Sequence, residues 1–515
     1  MLFNSFGFLF LFLPITVAIF FLLARRSHQL AAVWLGLASI FFYGWWDYRY
    51  VPLLLVSIGA NYALGWRIAH AAWDVSKRWL ILAIVVNLSL LAYFKYADFY
   101  IISVNYLAGA NLPALHIILP IGISFFTFTQ IAFLVDTYQG KVKEYRFAHY
   151  LLFVTYFPHL IAGPVLHHKE MMPQFGDPAT YKWSAQNMAV GLSIFAMGLA
   201  KKVLIADSLA VHASFFFDNT DNPSLLIAWG GVLAYTFQLY FDFSGYSDMA
   251  IGLSRMFGIK LPLNFNSPYK ASSIIDFWRR WHMTLSRFLR DYLYIALGGN
   301  KKGEVRRYVN LMVTMVLGGL WHGAGWNFVI WGTLHGVYLM LNHAWSSLAA
   351  RLHFPVKSPI WVFFSVGLTF IAVCFAWVFF RASDISRANA IIQGMVAVHG
   401  IGLPDSIGAH LGSFKITLEN LGVTFYLGGG TRFIQTYSWV LAAAFIAFLL
   451  PNTQQIMDKF DPALDYQSGR DSAPAMIARY FCWSPGVKWA VWVGVLLIAS
   501  LLLLNRPSEF LYFQF

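Results

Sequence analysis

The sequence predicts an all-α, polytopic membrane protein, with roughly ten to twelve transmembrane helices and with re-entrant and interfacial helices around a central tunnel. Of the 515 residues, 59% are hydrophobic and 11% are charged, whereas a soluble domain carries about 25% charged residues. Apolar runs recur along the whole chain, but several are interrupted or are shorter than the about 20 residues that one crossing needs. No fixed-period repeat or long polar stretch divides the chain, so we treat residues 1–515 as one domain.

The basic residues cluster in short loops between the apolar runs and give a net charge of +13. This pattern is typical of the positive-inside rule and of contact with anionic membrane lipids, and it does not indicate nucleic-acid binding. Arg25 and Arg26 follow the first apolar run, Phe3–Leu23, and place that end of the run in the cytoplasm. The run lacks a basic n-region and a cleavage site, so we expect a retained helix. The two cysteines form no CxxC pair, which argues against disulfides and thiolate metal sites.

Two stretches with polar residues have mainly structural interpretations. In Leu119–Gly140, Thr127 and Gln130 share one face of a helix, where polar side chains commonly bond between packed helices. In Tyr156–Phe175, prolines and Gly163 break a helix at the membrane surface. The histidines of this stretch have no HxxxH or HExxH spacing, so we expect no metal site there.

Acidic side chains lie inside an apolar run in Tyr240–Tyr269. Carboxylates in such a setting must be hydrogen-bonded, paired with a base or protonated. We consider two roles, a structural polar network that holds a broken helix and a direct part in catalysis, and the network could shape the tunnel in either case. The candidate members are Asp242, Ser244, Asp248 and, from the following loop, Asn266.

The stretch Ser272–Tyr294 predicts an amphipathic helix at the cytoplasmic interface. Ser273 followed by Asp276 is typical of a helix start, and apolar residues then recur at helical spacing. The arginines of this stretch either anchor it to anionic lipid or hold the phosphates of a nucleotide-like donor. The candidates for donor binding are Arg279, Arg280 and Arg287.

The stretch Leu317–Gly332, LGGLWHGAGWNFVIWG, is the strongest candidate for a reaction centre. An ionisable side chain at membrane depth usually faces the interior of a bundle or a water-filled cavity. His322 lies there between Trp321 and Gly323, and further glycines allow a backbone or a ligand to come close. Burial disfavours the charged imidazole, so the neutral ring could accept a proton and pass it on. We therefore expect His322 to be a general base in a tunnel.

Taken together, these stretches resemble the membrane-bound O-acyltransferase (MBOAT) family, in particular its branch of bacterial polysaccharide O-acetylases related to the alginate O-acetylation membrane protein. The resemblance spans most of the chain, with core motifs in residues 119–345. It is carried by IAGPVL at 161–166, YFDFSGYSDMAIGL at 240–253, NFNSPY at 264–269, FWRRWHMTLSRFLRDYLYI at 277–295, LGGNKKG at 297–303 and LGGLWHG at 317–323. The two characteristic histidines of the family match His282 in WRRWH and His322 in LGGLWHG.

The resemblance implies an O-acetyltransferase of the bacterial inner membrane with acetyl-CoA as its donor substrate, without a tightly bound cofactor and without a metal. His322 would take the proton of the acceptor hydroxyl, His282 would orient the thioester or stabilise the oxyanion, and Trp321 would help to hold the donor. In this branch the acetyl group ends on an extracytoplasmic polysaccharide, here alginate or a similar exopolysaccharide, and peptidoglycan acetylation and D-alanyl transfer stay open as alternatives. A periplasmic or membrane-anchored, esterase-like transferase is the usual partner.

The C-terminal aromatic segment, residues 506–515, ends in FLYFQF. It resembles the short tail of the small membrane partner in teichoic-acid D-alanylation, where a tyrosine is thought to carry the acyl group. By that analogy Tyr512 would accept the acetyl group and present it to a partner outside. A terminal aromatic anchor at the membrane interface is an equally good interpretation.

Two functions of other classes stay open at this point. A transporter or flippase of a small molecule or lipid-linked sugar would also have buried acids and broken helices, although no inverted repeat is evident. A scaffold whose partner does all the chemistry would not need His322. Cleavage of acetyl-CoA by the purified protein distinguishes the enzyme from the transporter, and a His322→Ala variant distinguishes it from the scaffold.

Overall fold

The computed structural model describes residues 1–142, 146–161, 163–468, 477, 480–506 and 511. Within these ranges the chain is almost entirely helical, as the sequence predicts, and its strands form one two-stranded sheet. The first twelve helices are α1 Leu13–Ala24, α2 His28–Gly44, α3 Val51–His70, α4 Trp73–Leu91, α5 Ala97–Ala108, α6 Ile123–Tyr138, α7 Phe147–Thr155, α8 Phe157–Leu160, α9 His168–Gly176, α10 Ala185–Ala200, α11 Asp207–Asn219 and α12 Leu225–Met256.

The second half of the chain continues in the same way. Its elements are α13 Ile274–Trp278, α14 Met283–Phe288, α15 Glu304–His322, α16 Trp326–Arg351, α17 Pro359–Arg381, α18 Ile385–Met395, β1 Ile401–Pro404, α19 Asp405–Gly408, α20 Ser413–Asn420, β2 Val423–Tyr426, α21 Gly430–Leu449, α22 Thr453–Ile456 and α23 Val487–Leu503. Wider π-helical turns occur at Phe8–Phe12, Ala92–Tyr96, Lys201–Ala206 and Leu289–Tyr294, and 3-10 turns occur at Tyr48–Tyr50, Pro178–Tyr181, Pro268–Lys270 and Asp458–Phe460.

Five helical segments of the described chain are long and apolar enough to cross a membrane, and three shorter apolar helices accompany them. The five are Tyr48–His70, Trp73–Ala108, Ala185–Asn219, Pro359–Arg381 and Gly430–Leu449. The chain is therefore a multi-pass membrane protein, as predicted. Helices α12, α15 and α16 are also long, but they carry more polar side chains, and the total of ten to twelve crossings stays a prediction.

At the centre of the molecule α10 and α12 pack backbone against backbone. A Cβ atom on Gly198 would lie 2.7 Å from the carbonyl oxygen of Gly245, so only glycine permits this approach. Helix α12 is continuous over 32 residues. The structure therefore corrects the expectation of a broken helix around Asp242 and Asp248, because these acids are accommodated by neighbouring side chains without a break in the helix.

The predicted amphipathic helix Ser272–Tyr294 is wrong as a single helix, because the chain forms α13, α14 and a π turn there. The start is as predicted, since the Ser273 hydroxyl accepts a hydrogen bond from the Asp276 N–H at 3.1 Å. The break occurs at His282, whose φ of +43° is in the left-handed region. This turn directs the imidazole inward, where it is fully buried.

One end of the bundle, here called the basic end, gathers most of the positively charged loops. The Tyr181 ring stacks on His28 at 4.6 Å and on Phe20 at 5.7 Å, and thereby joins the loop after α1 to the loop before α10. Arg287 bonds to Glu170 at 2.9 Å and joins α14 to the same end. Basic residues at this end include Arg25, Arg26, Lys169, Arg255, Lys260, Arg279, Arg280, Arg287 and Arg290.

The opposite end, here called the His322 end, is formed by loops that bond to one another. The Asn327 side chain donates to the carbonyl oxygen of Ala382 at 2.7 Å, and Arg381 pairs with Asp218 at 3.2 Å. The chain between α17 and α21 folds over this end and contains the sheet, in which β1 and β2 are parallel. The C-terminal ends of α11, α15 and α17 and the start of α21 therefore lie on one face of the molecule.

Candidate active site

Helices α15 and α16 form a hairpin, and His322 is the last residue of α15. A Cβ atom on Gly319 would overlap the carbonyl oxygen of Phe328, and one on Gly332 would overlap that of Met315. The two backbones are thus in direct contact, as the glycines of this stretch predict. This contact fixes the depth of the His322 turn.

Aromatic rings surround the imidazole of His322. The ring centroids of Trp321, Trp331 and Phe380 lie 5.0, 5.1 and 5.2 Å away from it. The His322 side chain is only 5% exposed. An imidazolium ion would be poorly solvated among these rings, so the surroundings favour the neutral base.

The second characteristic histidine is next to the first, with 6.2 Å between the ring centroids of His282 and His322. The Asn264 side-chain oxygen lies 3.1 Å from Nδ1 of His282 and accepts a hydrogen bond from the Thr284 hydroxyl at 2.9 Å. Since an amide oxygen can only accept, Nδ1 carries the proton and Nε2 keeps its lone pair. Nε2 is buried and has no hydrogen-bond partner in the described part of the chain.

The carbonyl groups at the end of α15 are bonded by a π-helical turn that follows α4. Lys95 Nζ donates to the carbonyl oxygens of Trp321 at 2.5 Å and His322 at 3.2 Å, and the Tyr96 hydroxyl donates to that of Leu320 at 2.7 Å. The last carbonyls of a helix have no partner within the helix, and a cation is favourable there. These bonds hold the turn that carries His322.

A cavity of about 190 Å³ lies beside this turn at the His322 end. Lys95 is part of its wall, and the Phe125 ring, also in the wall, lies 5.5 Å from the ring of Trp321. Other lining residues are Trp46, Pro120, Gly122 and Ser124. A ligand in this cavity would therefore be adjacent to the His322 turn.

The acids of α12 pair with lysines that the sequence analysis did not single out. Lys202 Nζ lies 2.7 Å from both Asp207 and Asp242, and Lys201 Nζ lies 2.6 Å from Asp248. The start of α22 gives Asp248 two further hydrogen bonds. These contacts favour a structural polar network over direct catalysis by the two acids.

The other two predicted members of that network have different places. The Ser244 hydroxyl is buried on α12 and makes no hydrogen bond with described residues. The Asn266 side-chain oxygen accepts from Asn452 at 3.0 Å, away from the histidines. Asn264, two residues earlier in the same loop, is the one that contacts His282.

The three arginines predicted to bind the donor are not equivalent. Arg280 pairs with an acid of the preceding turn at 2.9 Å. Arg287 is bonded to two carboxylates, Glu170 at 2.8 Å and Asp465 at 3.0 Å. Arg279 is exposed and has no salt bridge within the described ranges. Arg279 is therefore the candidate whose guanidinium is available to a phosphate.

Tyr512 lies outside the described residues. Its neighbour Leu511 is described, and its N–H donates to the Asp242 carboxylate at 3.3 Å. The Leu511 side chain is 4% exposed and belongs to the apolar core that also contains Trp331 and Phe380. Leu511 is thus packed in the interior, in the core that also borders His322.

Sequence reasoning missed several residues because their partners are distant in the chain. The Lys95 ammonium bonds to a carbonyl 226 residues away, and no local pattern indicates that contact. The Lys201–Lys202 pair did carry a signal, because it interrupts an apolar run next to a helix that contains two acids. Asn264 carried no comparable signal.

Comparison with known proteins identifies one family and several similar acyl-group transferases. Residues 71–383 match the family model for MBOAT, the membrane-bound O-acyltransferase family. The chain is 46% identical to a peptidoglycan O-acetyltransferase of Helicobacter pylori over 78% of this chain and 81% of that protein. It is 40% identical, over the full length of both, to a protein of Azotobacter vinelandii named "Probable alginate O-acetylase AlgI". A teichoic acid D-alanyltransferase of Bacillus subtilis is 28% identical over 52% of this chain and 70% of its own length.

Proposed function

Because the chain belongs to the membrane-bound O-acyltransferase family and is an acyltransferase, we propose that it moves an acetyl group from cytoplasmic acetyl-CoA to an acceptor on the other side of the membrane. The final acceptor would be an extracytoplasmic polysaccharide, alginate or a similar exopolysaccharide. The names of the similar proteins support an O-acetyl group and a cell-envelope polymer. The observation that carries the proposal is the pair of buried imidazoles, 6.2 Å apart, inside the region that matches the family.

His322 would act as the general base. The acceptor oxygen would attack the carbonyl carbon of the thioester while His322 takes the hydroxyl proton. The C–S bond would then break, and the leaving thiolate would receive that proton, so that the products are an acetyl ester and free CoA. A base in such a position contributes about 10²–10⁴-fold to the rate.

His282 would act on the donor side of the same step. Its Nδ1 is held by Asn264, so its orientation is fixed before substrate binds. The ring could position the thioester, or stabilise the developing oxyanion when it is protonated. Trp321 packs beside both imidazoles, at 6.1 Å from His282 and 5.0 Å from His322, and would contribute an apolar wall for the acetyl thioester.

The charge distribution supports a direction for the reaction. Positively charged loops stay on the cytoplasmic side of a membrane, so the basic end would face the cytoplasm and Arg279 would contact the phosphates of the donor. The His322 end would then face outward, and the cavity beside Lys95 would receive the acceptor. The same charge distribution supports the proposal that the protein resides in the bacterial inner membrane.

Transfer to the polymer would involve a second protein and the C-terminal tail. Tyr512 would accept the acetyl group first and pass it to a periplasmic or membrane-anchored, esterase-like transferase. The Leu511 N–H bonds to Asp242 and its side chain lies in the core that contains Trp331 and Phe380, which supports the proposal that the tail contributes to the reaction.

The test is transfer of a labelled acetyl group by the purified full-length protein, incubated with labelled acetyl-CoA. We expect release of CoA and label on the tail peptide that contains Tyr512. In the His322→Ala variant both should fall by at least about 10²-fold, while the unfolding temperature is kept. His343→Ala is the matched control, because His343 lies on α16 but is not among the residues that surround the His322 ring.

Two results would contradict this proposal. Wild-type protein that leaves acetyl-CoA intact would favour a transporter. A His322→Ala variant that supports full acetylation of the polymer would favour a scaffold. Release of free CoA without label on Tyr512 would remove only the tail step.

A further inference from the structure

A second cavity, of about 540 Å³, opens at the His322 end and is separate from the histidine pair. It lies among the C-terminal part of α11, the start of α12, strand β2 and the start of α21. We call it the Arg432 pocket. Its main lining residues are His212, Phe215, Asn222, Tyr426, Arg432 and Phe433.

The positive charge in this pocket is the guanidinium of Arg432, which lies over an aromatic ring. The Arg432 guanidinium carbon lies 3.3 Å from the centroid of the Phe215 ring, a cation–π arrangement. Arg432 is exposed and has no salt bridge within the part of the chain that the structure describes. The one acid in the wall, Asp221, is already paired with Arg387 at 2.6 Å. The pocket therefore presents a positive charge that no neighbouring carboxylate neutralises.

The walls of the pocket are held in place by hydrogen bonds across it. The Thr436 hydroxyl and Nδ1 of His212 lie 2.9 Å apart. The Tyr437 hydroxyl donates to the carbonyl oxygen of Leu226 at 2.7 Å. These two bonds connect α21 to α11 and to α12, so the aromatic and basic groups are organised before any ligand binds.

The volume and the lining residues of the Arg432 pocket indicate a small ligand and not a protein partner. Small-molecule pockets typically have about 300–1,000 Å³ and a few polar groups among apolar ones, whereas a protein partner needs about 800 Å² of surface on each side. A sugar ring has an apolar C–H face that can lie on an aromatic side chain. A guanidinium fork matches a carboxylate in two parallel hydrogen bonds. A carboxylated sugar satisfies both features.

We propose that the Arg432 pocket binds a carboxylated sugar unit of the polysaccharide acceptor and so holds the polymer next to the active site. This rests on the proposed function, from which the polymer takes its role as acceptor. The end of α17 connects the two places, because Phe380 packs on the His322 ring and Arg381 pairs with Asp218 near the pocket. A bound sugar unit would raise the effective concentration of polymer at this face.

The experiment measures binding of two oligosaccharides to the purified full-length protein in lipid nanodiscs. The acidic probe is a mannuronate hexamer, and the neutral probe is a cellulose hexamer of the same length. We expect the acidic probe to bind at least about tenfold more tightly than the neutral one, and Arg432→Gln to remove that difference. Arg49→Gln, an exposed arginine elsewhere on the His322 end, is the control and should bind as the wild type does.

Further variants separate this proposal from the reaction itself. The His322→Ala protein should bind the acidic probe normally, because the pocket does not include the histidine pair, so loss of acetyl transfer and loss of sugar binding are distinguishable. Phe433→Ala should weaken binding of both probes, since it removes part of the aromatic lining. Each variant is compared at equal unfolding temperature, and Arg432→Lys is used if Arg432→Gln does not fold.

The proposal is overturned if the wild type binds neither probe or binds both equally. It is also overturned if Arg432→Gln binds the acidic probe as tightly as the wild type. Displacement of the acidic probe by a periplasmic protein that buries Arg432, together with absence of sugar binding in the natural complex, would identify the pocket as a protein interface instead.

Discussion

Two regions of this molecule bury polar side chains away from water, and they stabilise those side chains in opposite ways. Around α12, Lys202 lies between two carboxylates at 2.7 Å, and Lys201 pairs with Asp248 at 2.6 Å. Around the end of α15, His282 and His322 are equally buried but are surrounded by aromatic rings. The first region keeps its charges by pairing them, whereas the surroundings of the two imidazoles favour the neutral form of each ring.

The difference in surroundings distinguishes polar groups with a structural role from polar groups that are able to exchange a proton with a substrate. A paired carboxylate and ammonium resist protonation changes, because each stabilises the charged form of the other. A neutral imidazole with a lone pair can take a proton from a substrate and return it. Burial alone therefore does not distinguish the two roles, whereas the kind of surroundings favours the histidine pair as the proposed reaction centre.

The largest effect on stability should come from removal of the lysine that pairs with two buried carboxylates. Lys202→Met leaves Asp207 and Asp242 buried without their cation, so the free energy of unfolding should fall by about 3–5 kcal/mol. Denaturant unfolding in detergent micelles measures this change. Lys201→Met is the matched control and should have a smaller effect, because Asp248 keeps two other hydrogen bonds. Equal stabilities of the Lys202 variant and the wild type would remove the distinction between the regions.

A buried histidine outside both regions gives an intermediate effect that depends on pH. Burial, together with the nearby Arg287 guanidinium, lowers the pKa of His167 from 6.5 to about 3. Below pH 6.5 the unfolded chain binds a proton that the folded chain does not bind until about pH 3, so this histidine makes stability fall with pH in that window. At pH 5 the loss relative to pH 7.5 is about 2 kcal/mol.

His167→Gln should remove that part of the pH dependence. Unfolding temperatures at pH 7.5 and pH 5 measure it, and His410→Gln, an exposed histidine, is the control. An unchanged difference between the two pH values in the His167 variant would show that this imidazole titrates normally. Burial of a histidine would then not be enough to keep it neutral, which is the premise of the comparison.

The smallest effect should come from the bonds that hold the His322 turn. Lys95→Met removes the cation from the end of α15, a contribution of about 1 kcal/mol. We expect kcat for acetyl transfer to fall about fivefold to tenfold with little change in KM for acetyl-CoA, because the base is displaced rather than lost. Lys95→Arg should restore most of the activity, and Lys77→Met at the other end of α4 is the control. A change in KM alone would mean that Lys95 contacts substrate instead.

Much of the fold could be predicted from local sequence. The low charge content and the apolar runs predicted a helical membrane protein, and the glycines of LGGLWHG and of the following helix predicted close backbone contact at the His322 hairpin. The break at His282 could not be predicted, because the periodicity from Trp281 to Tyr292 continues through it. The left-handed turn is held by hydrogen bonds that His282 and Thr284 donate to the side-chain oxygen of Asn264, which belongs to another loop.

The residues of the candidate site that could be predicted are those that belong to recognisable sequence motifs. His282 and His322 were assigned from their motifs, and the structure brings them together, although their roles stay predictions. The bonds from Lys95 and Tyr96 to α15 are contacts between segments more than 220 residues apart, and such contacts leave no periodic signal in a single sequence. Sequence alone could not show that Arg279, and not Arg287, is the arginine available to a phosphate. The carboxylates that pair with Arg287 come from loops distant in the chain.

The direct contact between the backbones of α15 and α16 limits how the chain around His322 can move. Packed helices usually slide past each other by small adjustments of the side chains between them, and here no such layer separates Gly319 from Phe328. The hairpin would have to come apart before either helix could shift. In the proposed reaction, access to His322 would therefore depend on side chains that face the hairpin, such as Phe380, whose ring lies 5.2 Å from the imidazole.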